Sequence, residues 1–243
     1  MSNPGVDTPG TDTGGDADLL AAVTDLGSAL RELVDASVTT QADPAALRAA
    51  AAAARQVTAG LSRTRRARTE LPALDDPVRF FRVYNPVSGI GSALAPPLDV
   101  RAEGDGVVGE VVLGLAYEGP PSFVHGGVSA LLMDQLLGAA TIARGLWGMT
   151  VHLELDYRGP VPLETMLVLR ARVTEDAGRK TVVTGTIAAA AEPERALVAA
   201  SGVFVVPRPD RSEALFGAIT DAVGRHAPPG RPTDATAVRP AGD

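Results

Sequence analysis

The sequence predicts an α+β domain in which a curled antiparallel sheet wraps around one central helix. Between residues 98 and 207 the hydrophobic pattern runs strand, strand, helix, strand, strand, strand, strand. The helix in this order, at about residues 126–144, is apolar over most of its surface. Because such a helix must be covered on nearly every side, the sheet has to curl around it.

Two strands of the predicted sheet precede the helix, and four follow it. The first two begin at Leu98 and form a hairpin that turns at residues 103–105. The last three lie at about residues 164–175, 180–190 and 195–206. With the strand directly after the helix, these make four long strands, which are expected to form an antiparallel meander.

The strand directly after the helix alternates strictly between apolar and polar residues. One face carries Val151, Leu153, Leu155 and Tyr157, and the other carries Thr150, His152, Glu154, Asp156 and Arg158. Strict alternation of this kind is typical of a half-buried antiparallel strand. The sequence therefore places Thr150 on the polar face, together with His152.

An N-terminal extension, residues 17–70, is predicted to form an antiparallel helical hairpin. Asp16 is the candidate N-cap of its first helix, and the second helix runs from about residue 44 to 68. The arginine-rich stretch 62–68 is then a helix end, where cations face the negative end of the helix dipole. The alternatives for this stretch are contact with a phosphate of a nucleotide-containing ligand, or with nucleic acid.

The remaining segments are predicted to be irregular or disordered. Residues 71–97 are expected to pack on the core as a connecting segment. Residues 1–16 contain almost nothing to bury and are expected to be disordered. Residues 208–243 are expected to hold a short helix at about 211–224, followed by a disordered tail.

Composition restricts the chemistry. The chain has no Cys, three His and a net charge of −7, which argues against thiolate chemistry, His-rich metal sites and nucleic acid as the main partner. No glycine-rich nucleotide-binding motif follows a strand, and no metal or cofactor is expected. Asp134, Gln135 and Arg144 interrupt the most apolar stretch, and the acidic N-terminus has no apolar leader. We therefore expect a cytoplasmic protein without a membrane partner.

Two features of the central helix are unusual for a buried helix. His125-Gly126-Gly127 stands at its start, although Gly costs about 1 kcal/mol relative to Ala in a helix interior. Asp134 lies in its apolar middle, where a carboxylate needs a partner, water or a function. Unpaired N–H groups at a helix start can hold an oxyanion, and a carboxylate can act as general base or nucleophile. These residues therefore predict attack on a carbonyl group.

The spacing of these features predicts a homodimer. Gly126 and Asp134 are eight residues apart, which corresponds to about 12 Å along one helix. A donor and a base must both come within about 3 Å of the reacting groups. Two antiparallel copies of the helix across a two-fold axis would meet this requirement and would create two equivalent sites. Pairing of dimers into tetramers is left open.

The residues around this motif resemble the hotdog-fold thioesterases of the phenylacetyl-CoA (PaaI-like) type. The matching residues are His125-Gly126-Gly127 with Asp134, Gly148-Met149-Thr150, the turn from Arg158 to Leu163, and Asn85-Pro86 before the first strand. Apart from Asn85-Pro86, the resemblance covers residues 98–207. It implies a hotdog fold and hydrolysis of an acyl-CoA thioester to a free acid and CoA.

The resemblance also implies a role for each matching residue. Asp134 would be the base or nucleophile, the Gly126 N–H would polarise the thioester carbonyl, His125 would support the loop, and Thr150 would help position the attacking water. Substrate contacts are assigned to Gly127, Glu118 and Met149. The family often carries Asn where this chain has Gly119, so whether Glu118 replaces that Asn is open.

Structural roles stay open for these residues as well. His125 could only cap the helix, Asp134 could be a structural carboxylate at a dimer interface, and Thr150 could be an ordinary strand residue. His152 has only its strand position to favour a function. The alternative function is a non-catalytic module that binds or senses acyl-CoA. A hotdog hydratase is less favoured, because the next His after Asp134 is His152, on a strand.

Overall fold

A computed structural model describes residues 13–76 and 80–227 of the chain. The helices are α1 (Thr13–Thr39), α2 (Pro44–Leu61), α3 (Gly126–Ala143) and α4 (Pro209–Phe216), with a single 3-10 turn at Leu115–Tyr117. The strands are β1 (Asp99–Glu103), β2 (Gly106–Val112), β3 (Met149–Tyr157), β4 (Met166–Ala177), β5 (Lys180–Ala189) and β6 (Val198–Val205). The disorder expected at both ends of the chain falls on residues 1–12 and 228–243, outside the described residues.

The six strands form one antiparallel sheet in the order β1-β2-β4-β5-β6-β3. Helix α3 packs across this sheet and contacts every strand in it. Its side chains Leu132, Met133, Leu136 and Leu137 are each no more than 1% exposed. The predicted element order is confirmed, and the arrangement is the hotdog fold. The predicted meander of four strands is wrong for β3, which pairs with β6 and not with β4, so only β4, β5 and β6 follow one another in the sheet.

The composition of α3 differs from one sequence expectation. By length and composition alone, Gly126–Ala143 could cross a membrane, with a mean hydropathy of 1.3. The polar residues Asp134 and Gln135 predicted that no stretch is apolar enough to do so, yet Asp134 is the one charged residue within these bounds. The contacts of α3 with all six strands account for its apolar character as a core helix.

Strand β3 lies at the edge of the sheet, and a β-bulge changes which of its residues share a face. Thr150 lies opposite Phe204 of β6, and the register shifts by one residue before His152, so Val151 is the extra residue. Because Phe204 belongs to the core around α3, Thr150 faces the helix, as Leu153 does. The strict alternation predicted from the sequence is therefore wrong at the start of β3, where Thr150 does not lie on the polar face.

Helix α1 packs on the loop that leads to β1. The Arg31 guanidinium donates through Nη1 to the backbone oxygens of Ile90 and Ser92, both at 2.9 Å. Gly27 lies so close to this loop that a Cβ atom there would come within 2.3 Å of the Ile90 oxygen. A glycine is therefore required at residue 27 for α1 to seat on the loop.

Helix α2 is not packed in the same way. Asp43 caps its start by accepting hydrogen bonds from Ala45 N and Ala46 N at 2.8 and 2.9 Å. None of its residues is buried, and it shares no substantial interface with α1 or with any other described helix or strand. The two helices therefore do not pack on each other as the expected antiparallel hairpin requires.

The ends of both N-terminal helices differ from the prediction. Helix α1 already begins at Thr13, so Asp16 lies inside its first turn and is not the N-cap. Helix α2 ends at Leu61 with Ser62 as its C-cap, so the arginines at 63–68 lie beyond the helix and not in its last turn. The C-terminal α4 begins and ends earlier than the predicted 211–224.

The segment before β1 packs on the core, and the chain before this segment contacts the chain that follows α4. Val83 and Val87 are each 1% exposed. Thr220, which follows α4, donates its N–H to the Thr69 oxygen at 2.9 Å and accepts from the Leu71 N–H at 2.8 Å. The chain entering the domain is therefore hydrogen-bonded to the chain leaving it.

Candidate active site

His125 forms the N-cap of α3. Its backbone is extended (φ −60°, ψ 134°), and its Nδ1 accepts a hydrogen bond from the Gly127 N–H at 3.0 Å. This contact requires an unprotonated Nδ1, so the neutral ring carries its proton on Nε2. A Cβ at residue 127 would lie 3.1 Å from Nδ1, closer than most such contacts, so glycine there gives the ring room. The capping role considered for His125 is thus observed.

One N–H group at the start of α3 stays free. Val128 and Ser129 donate their N–H groups to the His125 carbonyl at 2.9 and 3.3 Å, and Gly127 donates to the His125 ring. Within residues 13–76 and 80–227, the Gly126 N–H has no acceptor. This donor lies at the positive end of the α3 dipole, where it can polarise a carbonyl oxygen. The residue that the resemblance assigned to this role is therefore the one with an available donor.

Asp134 lies two turns further along α3 and is half-buried. The Thr150 hydroxyl donates to its Oδ1 at 2.9 Å. Its second carboxylate oxygen, Oδ2, has no hydrogen-bond partner in the described part of the chain. The bulge in β3 makes the Thr150 contact possible, since without it Thr150 would face away from α3. The structure thus holds one oxygen of Asp134 in place and leaves the other available to a reactant.

A cleft of about 360 Å³ opens beside Gly126. It is lined by Gly126 and Ser129 of α3, Tyr157 at the end of β3, and Phe123 and Pro160 from adjoining loops. The Tyr157 hydroxyl donates to the Gly126 carbonyl at 2.9 Å. Sequence reasoning placed Tyr157 on an apolar strand face and missed this contact. The available signal was its position directly before the turn that carries the family resemblance.

A larger cavity lies elsewhere. It measures about 630 Å³ and is lined by polar residues such as Arg170, Thr184 and Ser201. Arg170 alternates along β4 with Leu169 and Ala171, which belong to the core around α3, so this cavity lies on the opposite face of the sheet. None of the predicted site residues lines it. The smaller cleft at the start of α3 is therefore the candidate active site.

The loop before α3 shows why residue 119 is a glycine and what the neighbouring Glu118 contacts. A Cβ at this position would come within 2.7 Å of the His125 Cα, so no other residue fits without a shift of the backbone. The Glu118 carboxylate accepts a hydrogen bond from the Ser122 N–H at 2.8 Å and closes the loop. Glu118 thus has a structural contact within the loop, and the structure does not direct it to Gly126.

Two side-chain contacts support this region from outside the motif. The Asn85 Nδ2 donates to the Oε1 of Gln135, the neighbour of Asp134, at 2.9 Å. The Tyr117 hydroxyl donates to the Leu94 oxygen at 3.2 Å, and burial raises the pKa of Tyr117, which keeps the phenol protonated as a donor. Sequence analysis noted Asn85 only through the family resemblance and assigned no role to Gln135.

Met149 and His152 of β3 lie at different distances from the candidate site residues. Met149 lies next to Thr150 at the start of β3 and is 41% exposed. His152 is exposed and lies 4.0 Å from the Glu154 carboxylate, so the structure does not bring it to Asp134. In the described ranges, no cluster of three His, Asp or Glu residues is close enough to hold a metal ion.

Comparison with known proteins identifies the family. The model of the thioesterase superfamily matches residues 122–196, which include His125, Asp134 and Thr150. Acyl-coenzyme A thioesterase THEM4 from Rattus norvegicus is 34% identical over 98 residues, and that from Mus musculus is 38% identical over 74 residues. A thioesterase superfamily protein of known crystal structure has 35% sequence identity to this chain and matches its fold with a TM-score of 0.68. This match covers 75% of this chain and 94% of that protein. The chain belongs to the thioesterase superfamily.

The extent of these matches differs between relatives. The alignment of this thioesterase superfamily member with the rat protein covers 40% of this chain and only 42% of the rat protein. The alignment with the mouse protein covers 30% of this chain and only 32% of the mouse protein. The solved superfamily structure, in contrast, is matched over nearly its whole length. The matched share of this chain is larger than residues 98–207 alone, so the likeness extends beyond the hotdog domain.

Proposed function

We propose that this chain hydrolyses acyl-CoA thioesters to a free carboxylic acid and CoA. The observation that carries the proposal is the Asp134 carboxylate, which is held by Thr150 on an otherwise apolar helix whose first N–H, that of Gly126, is free. The curated relatives named as acyl-coenzyme A thioesterases support the same substrate class. Membership of the PaaI-like group and a cytoplasmic location belong to the same proposal and stay predictions from the sequence.

The two groups act on opposite ends of the reacting bond. The Gly126 N–H donates to the thioester oxygen and stabilises the negative charge that develops there when the carbonyl carbon is attacked. Asp134 either attacks this carbon itself or takes a proton from a water that attacks it. In both routes the carbon–sulfur bond breaks and CoA leaves as a thiolate that takes up a proton from water. When Asp134 attacks directly, an acyl anhydride forms on its carboxylate, and a water molecule then attacks the acyl carbon, which frees the acid and restores Asp134. In both routes water supplies the second oxygen of the acid. Thr150 keeps the carboxylate oriented through both steps.

We further propose that the active unit is a homodimer joined along β3. Gly126 and Asp134 are separated along one helix by about 12 Å, too far to act on one carbonyl group. Strand β3 pairs with β6 on one side only, and an unpaired strand edge is a template for a second chain. Val151 and Tyr157 on this strand are 62% and 57% exposed. A two-fold axis beside β3 would bring Asp134 of the partner subunit towards Gly126.

Substitution of Asp134 tests the proposed hydrolysis. Asp134→Asn keeps the size of the side chain and removes the charge, and it is expected to abolish thiol release from acyl-CoA while the protein still binds acyl-CoA. Asp156→Asn is the matched control, because Asp156 is an exposed carboxylate on β3. Release of thiol by Asp134→Asn at the wild-type rate would refute the mechanism. Binding without turnover by the wild-type protein, over a panel of acyl-CoA substrates, would support the non-catalytic module instead.

Mixing two inactive variants tests the shared site. One variant carries Asp134→Asn and the other Gly126→Pro, which removes the Gly126 N–H. If each site combines both subunits, half of the randomly mixed dimers are heterodimers with one intact site each, and activity returns to about a quarter of the wild-type value. If both groups act within one chain, mixing restores nothing, and the proposed arrangement is wrong even if hydrolysis itself is confirmed.

A further inference from the structure

Helix α2 carries an apolar stripe that nothing in the described chain covers. Leu47, Val57 and Leu61 are 48–54% exposed, and with Ala50 and Ala54 they recur at steps of three and four residues. This spacing is that of a seam by which one helix packs on another. In proteins most of the stability of a helix comes from packing of such a face on a neighbour. The apolar pattern of α2 therefore indicates that it packs against a partner.

Helix α1 carries a second stripe, separate from the face that seats on the Ile90–Ser92 loop. Leu19, Leu26 and Leu33 are 36–49% exposed and follow one another at intervals of seven residues. The alanines at 22 and 29 lie between them, which gives the same seam pattern as in α2. The packed residue Gly27 lies on an adjacent face of the helix, so contact with the loop leaves the stripe open.

The two helices also carry opposite charges. Thr13–Thr39 contains five carboxylates and one arginine, a net charge of −4. Helix α2 contains Arg48 and Arg55 and no carboxylate, a net charge of +2, and four further arginines follow it at residues 63–68. Asp25 and Glu32 directly precede leucines of the α1 stripe, and neither Arg48 nor Arg55 of α2 has an ion-pair partner within the described ranges. The stripes therefore match both in apolar pattern and in charge.

We propose that α2 of one copy docks on the α1 stripe of a second copy, so that two chains exchange their second helices. Within one chain the two helices share no substantial interface, although only four residues separate them. In a two-fold symmetric dimer, α2 of each chain lies on the α1 stripe of the other, so both stripes of both chains are covered. This interface is independent of the proposed hydrolysis, because it involves no residue of the active-site cleft.

Cysteine crosslinking tests this exchange, since the chain has no Cys of its own. A double variant, Leu26→Cys with Ala54→Cys, is treated with a short bismaleimide and separated on a denaturing gel. The exchanged arrangement gives a covalent dimer. A crosslink within one chain, which runs as a monomer, would show an ordinary hairpin and overturn the proposal. Absence of any crosslink would overturn it as well.

Three controls make the result specific. Leu26→Cys and Ala54→Cys alone are expected to stay monomeric on the gel, because each stripe faces the other kind of helix; a dimer from either one would refute the exchange. Mixing these two single variants is expected to give a covalent dimer. Thr24→Cys with Ala52→Cys places both thiols on the far sides of their helices and is expected to give no dimer. Unchanged circular dichroism and melting temperature would show that every variant is folded.

Discussion

The replacement Gly126→Pro removes one hydrogen-bond donor with little change to the backbone. Gly126 is the first residue of α3, a position at which proline is favoured because its fixed φ suits the helix. The residue before a proline must be extended, and His125 already is (φ −60°, ψ 134°). A Cβ at residue 126 would lie 3.5 Å from the Tyr157 ring, an ordinary contact distance. Folding of the variant is therefore expected to be unaffected.

The size of the effect follows from the hydrogen bonds of the first turn. The N–H groups of Gly127, Val128 and Ser129 already have acceptors in His125, so none of them replaces the lost donor. Removal of one oxyanion donor typically costs about 10²–10³ in kcat, or about 2.7–4 kcal/mol. Because the proline ring also occupies the space of the lost hydrogen, we expect Gly126→Pro to reach the upper end of this range.

The assay is thiol release from acyl-CoA at saturating substrate, with the melting temperature measured in parallel. Gly126→Ala is the matched control, because it adds a Cβ and keeps the N–H, and it is expected to retain most of the wild-type kcat. If Gly126→Pro is folded and keeps kcat within a few-fold of the wild type, the N–H is not the oxyanion donor. Equal losses in both variants would indicate a steric effect and would also contradict the assignment.

Three further substitutions have defined outcomes. Thr150→Ala removes a hydrogen bond to the Asp134 carboxylate worth about 1.5–3 kcal/mol, so kcat should fall at least about tenfold and recover in Thr150→Ser; a wild-type kcat in the alanine variant would exclude a positioning role. Tyr157→Phe removes a neutral hydrogen bond to α3 and should lower kcat/KM by about 2–10-fold. An unchanged kcat/KM would show that Tyr157 only covers the cleft. Leu136→Ala should lower the free energy of unfolding in urea by about 2–5 kcal/mol, whereas Leu94→Ala, at a residue 73% exposed, should change it little.

The order of helix and strands along the chain was predictable because the apolar central helix and the strands differ in their hydrophobic patterns. Strands β4, β5 and β6 lie in the sheet in chain order, as a meander predicts, whereas the pairing of β3 with β6 was not predicted. Asp134 was identifiable as a candidate site residue, because a carboxylate in an apolar helix is costly without a partner or a function. The free Gly126 N–H followed from its place at a helix start.

Other features depend on tertiary contacts that no local pattern records. The bulge at Val151 changes the pairing with β6 but not the alternation of apolar and polar residues in the sequence. The sequence therefore could not show that Thr150 faces α3. The apolar residues of α1 predicted its contact with α2, whereas its contact with the Ile90–Ser92 loop is made by another face, around Gly27, which no local pattern marks. The early end of α2 did have a local signal in Gly60, next to its last residue.

The hydrogen bonds of Thr220 with Thr69 and Leu71 set the limits of any fragment that can fold alone. A fragment cut to the 98–207 region would lose Val83 and Val87, two of the most buried residues, and would leave an open apolar surface in their place. It would also lose Asn85, which is hydrogen-bonded to Gln135 of α3, next to Asp134. For expression or transfer of this domain, the unit to move therefore starts before residue 69 and runs past residue 220.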